Sequence, residues 1–247
     1  MATVKVTGVV LRAVNYRDYD RILTLFTRER GSLTVSARGV RRQNARYRAG
    51  CQLFSAGEFL LYSKGTRYYL SQAEVWGSGF ELGSDPRALM HATFAANVVE
   101  AAIVREEPNE ELYALFMSAL ALYRHPGTDP SRVTAFFLVQ AMRNLGFGLQ
   151  LNGCARCRAK GDGLFFSVAS GGTVCRECSR HCPDAGPLPP ALFDALCALS
   201  AAGPRGLASM KISQQTDATV LPLLVSYAQH HLDRVFKSAS LLDAFSS

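Results

Sequence analysis

The sequence predicts an α+β protein, in which a small five-stranded antiparallel barrel precedes an all-helical domain bearing four paired cysteines. Three observations predict it. Short β-branched and aromatic runs with a two-residue period fill residues 1–80, longer runs at helical spacing follow Gly83, and two C-x-x-C pairs interrupt the helical part.

Val4 to Leu11 is the first strand and Ile22 to Thr27 the second. Leu33, Val35 and Ala37 alternate with Ser32, Thr34 and Ser36, the pattern of a half-buried third strand. Phe59 to Tyr62 and Tyr68 to Leu70 flank Ser63-Lys64-Gly65-Thr66, a hairpin turn with Gly65 as the permissive residue. Five strands in about 75 residues leave no room for crossover helices, which fits an OB-fold; an SH3-like barrel gives a similar pattern. Tyr62, Tyr68, Tyr69 and Trp76 read as barrel core or domain-interface residues, and Cys51 as an apolar core residue.

Ser84-Asp85-Pro86 is a helix start, a polar cap followed by proline. The helix runs from Arg87 to Val104, with Leu89, Ala92, Ala96, Val99 and Ile103 on one face. Pro108 opens a second helix, which ends near Arg124 before His125-Pro126-Gly127. Asp129-Pro130-Ser131 starts a third, through Phe136, Phe137, Val139 and Met142 to Leu145, with Gly146 as its stop. Pro189 to Ala202 and Asp217 to Lys237 are the last two, Leu221, Leu224, Ala228, Leu232 and Val235 forming the stripe of the final one. The chain is thus expected to divide into an OB-fold domain of residues 1–80 and a helical domain of residues 81–247, with a cysteine-paired insertion at about 150–183.

Charge separates the same two parts. The chain carries +7 overall, yet residues 1–80 hold +8 and the remainder −1. A basic domain favours nucleic acid or acidic surfaces as partners. The longest uncharged apolar run, Ala114 to Tyr123, is ten residues, half of what a membrane span needs. The opening residues lack the pattern of a secretory signal, so a cytoplasmic location is expected, which a nucleic-acid partner would make nucleoid-associated.

Cys154-x-x-Cys157 and Cys175-x-x-Cys178 stand 17 residues apart, the spacing of a structural zinc site. Each knuckle turns its thiolates toward one point, and four sulfurs complete a tetrahedral shell with no open position. Leu164-Phe165-Phe166 as a strand, Ser170-Gly171-Gly172 as a turn and Thr173-Val174 leading back make a zinc ribbon. His181 or Cys182 could replace Cys178, but the regular knuckle favours Cys178 and leaves Cys182 a bystander; Cys197 reads as a helix core residue.

Ala37 to Arg48 carries Arg38, Arg41, Arg42, Arg46 and Arg48, five arginines in eleven residues with no acid and with Tyr47 among them. Guanidinium forks match phosphate oxygens bidentately, and Tyr47 offers a stacking face. These six residues and Arg12 are the candidate nucleic-acid contacts. Arg17 and Arg21 extend the basic surface, with Asp18 and Asp20 available to pair with them. His230, His231, Arg132 and Arg143 read as exposed helix residues, although Arg132 and Arg143 could also clamp an acidic, aromatic peptide.

No G-x-x-x-x-G-K-[ST], G-x-G-x-x-G after a strand, G-x-S-x-G or H-E-x-x-H occurs. A deaminase-type zinc site needs H-x-E and P-C-x-x-C, whereas Gly153 and Val174 precede the knuckles here. No catalytic residue is expected. The competing readings are a metal-dependent nucleic-acid enzyme and an RNA-binding OB-fold protein.

Gly8-Val9-Val10-Leu11, Tyr16, Asp20, Leu23-Thr24-Leu25-Phe26-Thr27 and Gly31 resemble the opening of the RecO family of bacterial recombination mediators. Ala37-Arg38-Gly39-Val40-Arg41-Arg42 resembles that family's basic segment. Leu145-Gly146-Phe147 before the first knuckle and Ser170-Gly171-Gly172 before the second resemble its zinc-bearing members. Two positions depart from the pattern: Leu149 stands where proline is expected, and Arg158 where glycine follows the second cysteine. The resemblance implies an N-terminal OB-fold and a helical domain with structural zinc. It also implies binding of single- and double-stranded DNA, annealing of complementary strands, and assistance to RecA with the partner RecR. Contact with the acidic C-terminal tail of single-strand-binding protein (SSB) is implied as well.

Overall fold

The computed structural model describes residues 3–77, 82, 85–160, 165–207, 210 and 213–242; the expected Ser84 cap and the Leu164 strand position lie outside them. Two compact units are present, one of residues 1–86 and 102–114, the other of residues 87–101 and 115–247.

Strands β1 (Thr3–Tyr16), β2 (Asp20–Thr27), β3 (Gly31–Ala37), β4 (Ala56–Lys64) and β5 (Arg67–Gly77) close a barrel in the order β1-β2-β3-β5-β4. All neighbours pair antiparallel except β3 and β5, which close the barrel in parallel through Val35↔Tyr68 and Ser36↔Tyr69. This is the OB-fold. Two-residue alternation fills its interior: Leu23 and Leu25, Leu33, Val35 and Ala37, and Phe59 and Leu61 point inward and are fully buried. Each of these leucines, Val35 and Phe59 contributes about 1.5–3 kcal/mol, and Ala37 less. Cys51 is among them, and burial pushes its thiol up to about 12.

Strand β1 is longer than its apolar run, because it serves two partners. Its first half pairs with β4 and its second with β2, across an irregularity between Val10 and Arg12. The β4–β5 hairpin turns at Gly65, whose φ is +62°, as the sequence predicts. Trp76, by contrast, is 58% exposed and lies outside the barrel core.

Helix α1 (Pro86–Ala102) ends earlier than its stripe suggests. The following residues run extended against β3, where Ser32 donates to the Val104 carbonyl and Glu106 to that of Ser32. Gly31 permits this approach. It has φ +55°, and a Cβ there would collide with the Glu107 carbonyl. Helix α2 (Glu110–Arg124) begins after Asn109, whose side chain accepts from Leu112 N, so Asn109 rather than Pro108 supplies the cap. Its first turn packs on the barrel through Tyr113 against Phe26, with ring centroids 5.4 Å apart.

In the second unit, α3 (Pro130–Asn144) is buried from Val133 to Met142 and stops at Gly146, φ +88°. Asp129 caps it by accepting from Ser131 N over 3.0 Å. The cysteine-bearing segment supplies β6 (Phe165–Ser167), β7 (Gly172–Val174), the single-turn α4 (Arg176–Ser179) and β8 (Gly186–Pro187), in sheet order β7-β6-β8. Helices α5 (Pro190–Ala201) and α6 (Gln214–His231) pack on α3, and α7 (Ala239–Leu242) is one further turn. The expectation that the last long helix runs from Asp217 to Lys237 is corrected: α6 spans Gln214–His231. Asp233 turns left-handed at φ +50°, and Val235, counted into the apolar stripe, is 87% exposed. Arg132 is not an exposed helix charge either: it pairs with Asp217 over 2.5 Å and donates to the Met210 carbonyl. His231 is half-buried, its ring 4.3 Å from that of Tyr227 and tilted by 49°, and it donates to the Val168 carbonyl. No described helix is long and apolar enough to cross a membrane.

Candidate nucleic-acid groove and metal centre

Because Leu33, Val35 and Ala37 point inward, Thr34 and Ser36 must point out, and with Ile22 of β2 they floor an open groove of about 560 Å³. Tyr16, Arg17 and Asp20 from the β1–β2 turn form one wall, and Thr66 and Arg67 of the β4–β5 hairpin, with Tyr68 and Tyr69, form the other. Arg38 and Arg105 complete the rim. An OB-fold takes oligonucleotides on this same face, between its strand 2–3 surface and its β1–β2 and β4–β5 loops.

Four arginines against one aspartate line this groove. That surplus separates it from a second depression of about 530 Å³ on β4 and β5, where Lys5 and Arg46 meet Glu58 and Glu74. There the charges cancel, and Lys5 is already paired to Glu58 at 2.8 Å.

Three of the four arginines in the groove are held by their neighbours. Arg38 lies over the Tyr69 ring, 4.7 Å from its centroid, and Tyr69 stacks on Tyr62 at 5.1 Å and 15°. Arg17 lies 5.2 Å from the Tyr16 centroid. Arg105 donates from Nη2 to the Thr66 carbonyl over 3.1 Å. Cation–π contacts of this kind fix a guanidinium plane while leaving its edge donors available.

The candidate contacts read from the sequence therefore divide. Arg38 is in the groove. Arg41 and Arg42 sit against the β1–β2 turn, Arg41 donating to the carbonyls of Arg17 and Asp18 and Arg42 covering the Tyr19 ring at 5.3 Å. Arg46 and Tyr47 stack on each other and line the charge-balanced depression. Arg48 is exposed next to the helical turn Ala49–Cys51. Arg12 is exposed on β1, paired with Thr24. Arg21 turns away, donating to the Cys51 carbonyl and the Gln52 side chain. Sequence reasoning missed Arg67 and Arg105. Arg67 had a signal, since it directly follows the hairpin turn Ser63–Thr66; Arg105 had none, because it follows a helix.

The sulfurs of Cys154, Cys157, Cys175 and Cys178 all lie within 4.8 Å of one another, and those of Cys157 and Cys175 are 3.9 Å apart. Four thiolates at about 2.3 Å from one ion would stand about 3.8 Å apart, so the set fits a tetrahedral metal. Burial pushes the Cys154 thiol up, but the amide hydrogens of Cys157, Cys175 and Arg156 outweigh it and bring it down to about 6. Cys182 is outside the set, its sulfur 3.5 Å from the Arg156 guanidinium, which also donates to the His181 carbonyl. Arg158, standing where glycine was expected, adopts φ +61°. The fold keeps the left-handed knuckle without the residue that suits it.

Residues 1–78 match a family model described as "Recombination protein O N terminal", and residues 83–240 one described as "Recombination protein O C terminal". The DNA repair protein RecO of Symbiobacterium thermophilum is 30% identical over 100% of this chain and 99% of its own length. That of Anaeromyxobacter dehalogenans is 31% identical over 98% and 97%, and that of Bacillus subtilis 27% identical over 98% and 95%.

Proposed function

From the premise that this chain belongs to the RecO family of DNA repair proteins, we propose that it binds single- and double-stranded DNA and anneals complementary strands. The carrying observation is the groove on the OB-fold face, with Arg17, Arg38, Arg67 and Arg105 against Asp20 alone. Each neutralised phosphate releases condensed counterions, which favours binding without any base-specific contact. Annealing then requires no bond chemistry: two strands repel each other, and a cationic surface that holds one lowers the cost of bringing up its complement without ATP. Tyr16, 46% exposed beside Arg17, is the aromatic face best placed for a base.

The family's partners are proposed with it: RecR, RecA whose loading onto SSB-covered strands is assisted, and the SSB C-terminal tail. The metal is proposed to be zinc, held by Cys154, Cys157, Cys175 and Cys178. Bound there, it would contribute to folding as a closed structural centre with no open coordination position.

Fluorescence anisotropy with a labelled oligothymidine at several salt concentrations tests the reading. Four phosphate contacts to a single strand give a slope of log K against log[salt] of about −3. A flat salt dependence removes the groove as the contact, and RNA competing better than DNA moves the chain to the RNA-binding reading.

A further inference from the structure

The basic segment packs tightly against the β1–β2 turn. The Arg41 guanidinium donates from one nitrogen to both the Arg17 carbonyl, at 3.2 Å, and the Asp18 carbonyl, at 3.1 Å. Its own amide donates to the Tyr19 carbonyl over 2.9 Å, and two residues earlier the Gly39 amide donates to Asp20 Oδ1 over 2.8 Å. Every residue from Arg17 to Asp20 is thus tied to the segment that follows β3.

The turn needs such ties. Arg17 has φ +53°, a left-handed conformation that a side-chain-bearing residue leaves unless its surroundings fix it. Glycine would adopt it freely, but glycine would bring no guanidinium to the groove. Arg17 lines that groove, and Arg41 does not.

We propose that Arg41 is a positioning residue, whose two bonds to the Arg17 and Asp18 carbonyls hold the left-handed turn that presents Arg17 and Tyr16 to a bound strand. The proposal rests on the groove reading above. It changes the meaning of the arginine run: one of its members serves the site through the backbone of another loop, and its charge does not count among the phosphates neutralised.

The test uses the full chain and its variants Arg17→Ala, Arg41→Ala and the double substitution, with labelled oligothymidine followed by anisotropy over a salt series. Loss of one phosphate contact reduces the steepness of the salt slope by about 0.7. Arg17→Ala and Arg41→Ala should each lose that one increment and each weaken binding about tenfold, the weight of one charge-assisted contact. The double variant should lose no more than either single one, because both remove the same contact. Hydrogen exchange at the amides of residues 17–20 should accelerate in Arg41→Ala.

A double variant that loses two increments makes Arg41 an independent phosphate contact and overturns the proposal. Unchanged exchange at residues 17–20 also overturns it. Binding indifferent to Arg17 overturns the groove reading instead, and the exchange measurement then still decides whether Arg41 holds the turn.

Discussion

Arg105 donates from Nη2 to the Thr66 carbonyl over 3.1 Å, so a residue beyond the first helix closes the rim of a groove otherwise built from the barrel. Arg105→Ala should therefore weaken oligonucleotide binding and flatten the salt slope by about 0.7, with little change in melting temperature. Anisotropy across a salt series, beside a thermal melt, reads both. An unchanged slope would show that Arg105 only ties the hairpin.

Position on the barrel surface should matter more than charge count. Reversing Arg38 and Arg67 to Glu together should cost more than about 100-fold in affinity near physiological salt, since two attractions become repulsions on one face. Reversing Arg46 and Arg48 alters the same net charge but falls outside the groove, and should cost no more than about fivefold. Equal losses would mean that affinity follows net charge alone.

Cys154→Ser should leave the barrel intact while lowering bound zinc, measured by elemental analysis, and depressing the melting temperature by about 5–10 °C. Chelation of the parent protein should produce the same shift. Oligonucleotide binding at a temperature where the variant remains folded should stay within about twofold, because the groove and the four cysteines belong to different compact units. Loss of binding from the folded variant would give the metal a direct part.

Arg158→Gly should stabilise the protein by about 0.5–1 kcal/mol, the gain from relieving a left-handed side-chain-bearing residue less the added freedom of glycine when unfolded. In thermal denaturation this is a rise of about 1–4 °C, with metal content unchanged. A lower melting temperature would show that the Arg158 side chain contributes more than its backbone costs.

Much of this was legible in the sequence, for identifiable reasons. The alternation of Leu33, Val35 and Ala37 with serine and threonine marks both faces of β3, so barrel and groove floor follow from one pattern. The two cysteine pairs carry the metal site because ligand spacing is local. What was not legible depends on long-range placement. Arg38 and Arg46 look alike in the run, yet tertiary contacts send one to Tyr69 in the groove and the other beside Glu58 and Glu74. Arg132 and Asp217 are 85 residues apart, and nothing local marks either as half of an ion pair. Val235 carries the right residue type and spacing for a helical stripe, but the turn at Asp233 moves it into solvent.

The return of residues 102–114 to the barrel has a practical consequence for dissecting the protein. A fragment cut after β5, at the seam between the two family matches, would lose Arg105 from its binding face and strip the Tyr113 ring from Phe26. The smallest portable piece is therefore discontinuous. Grafting it elsewhere means joining the barrel to the 102–114 segment through a new linker in place of α1.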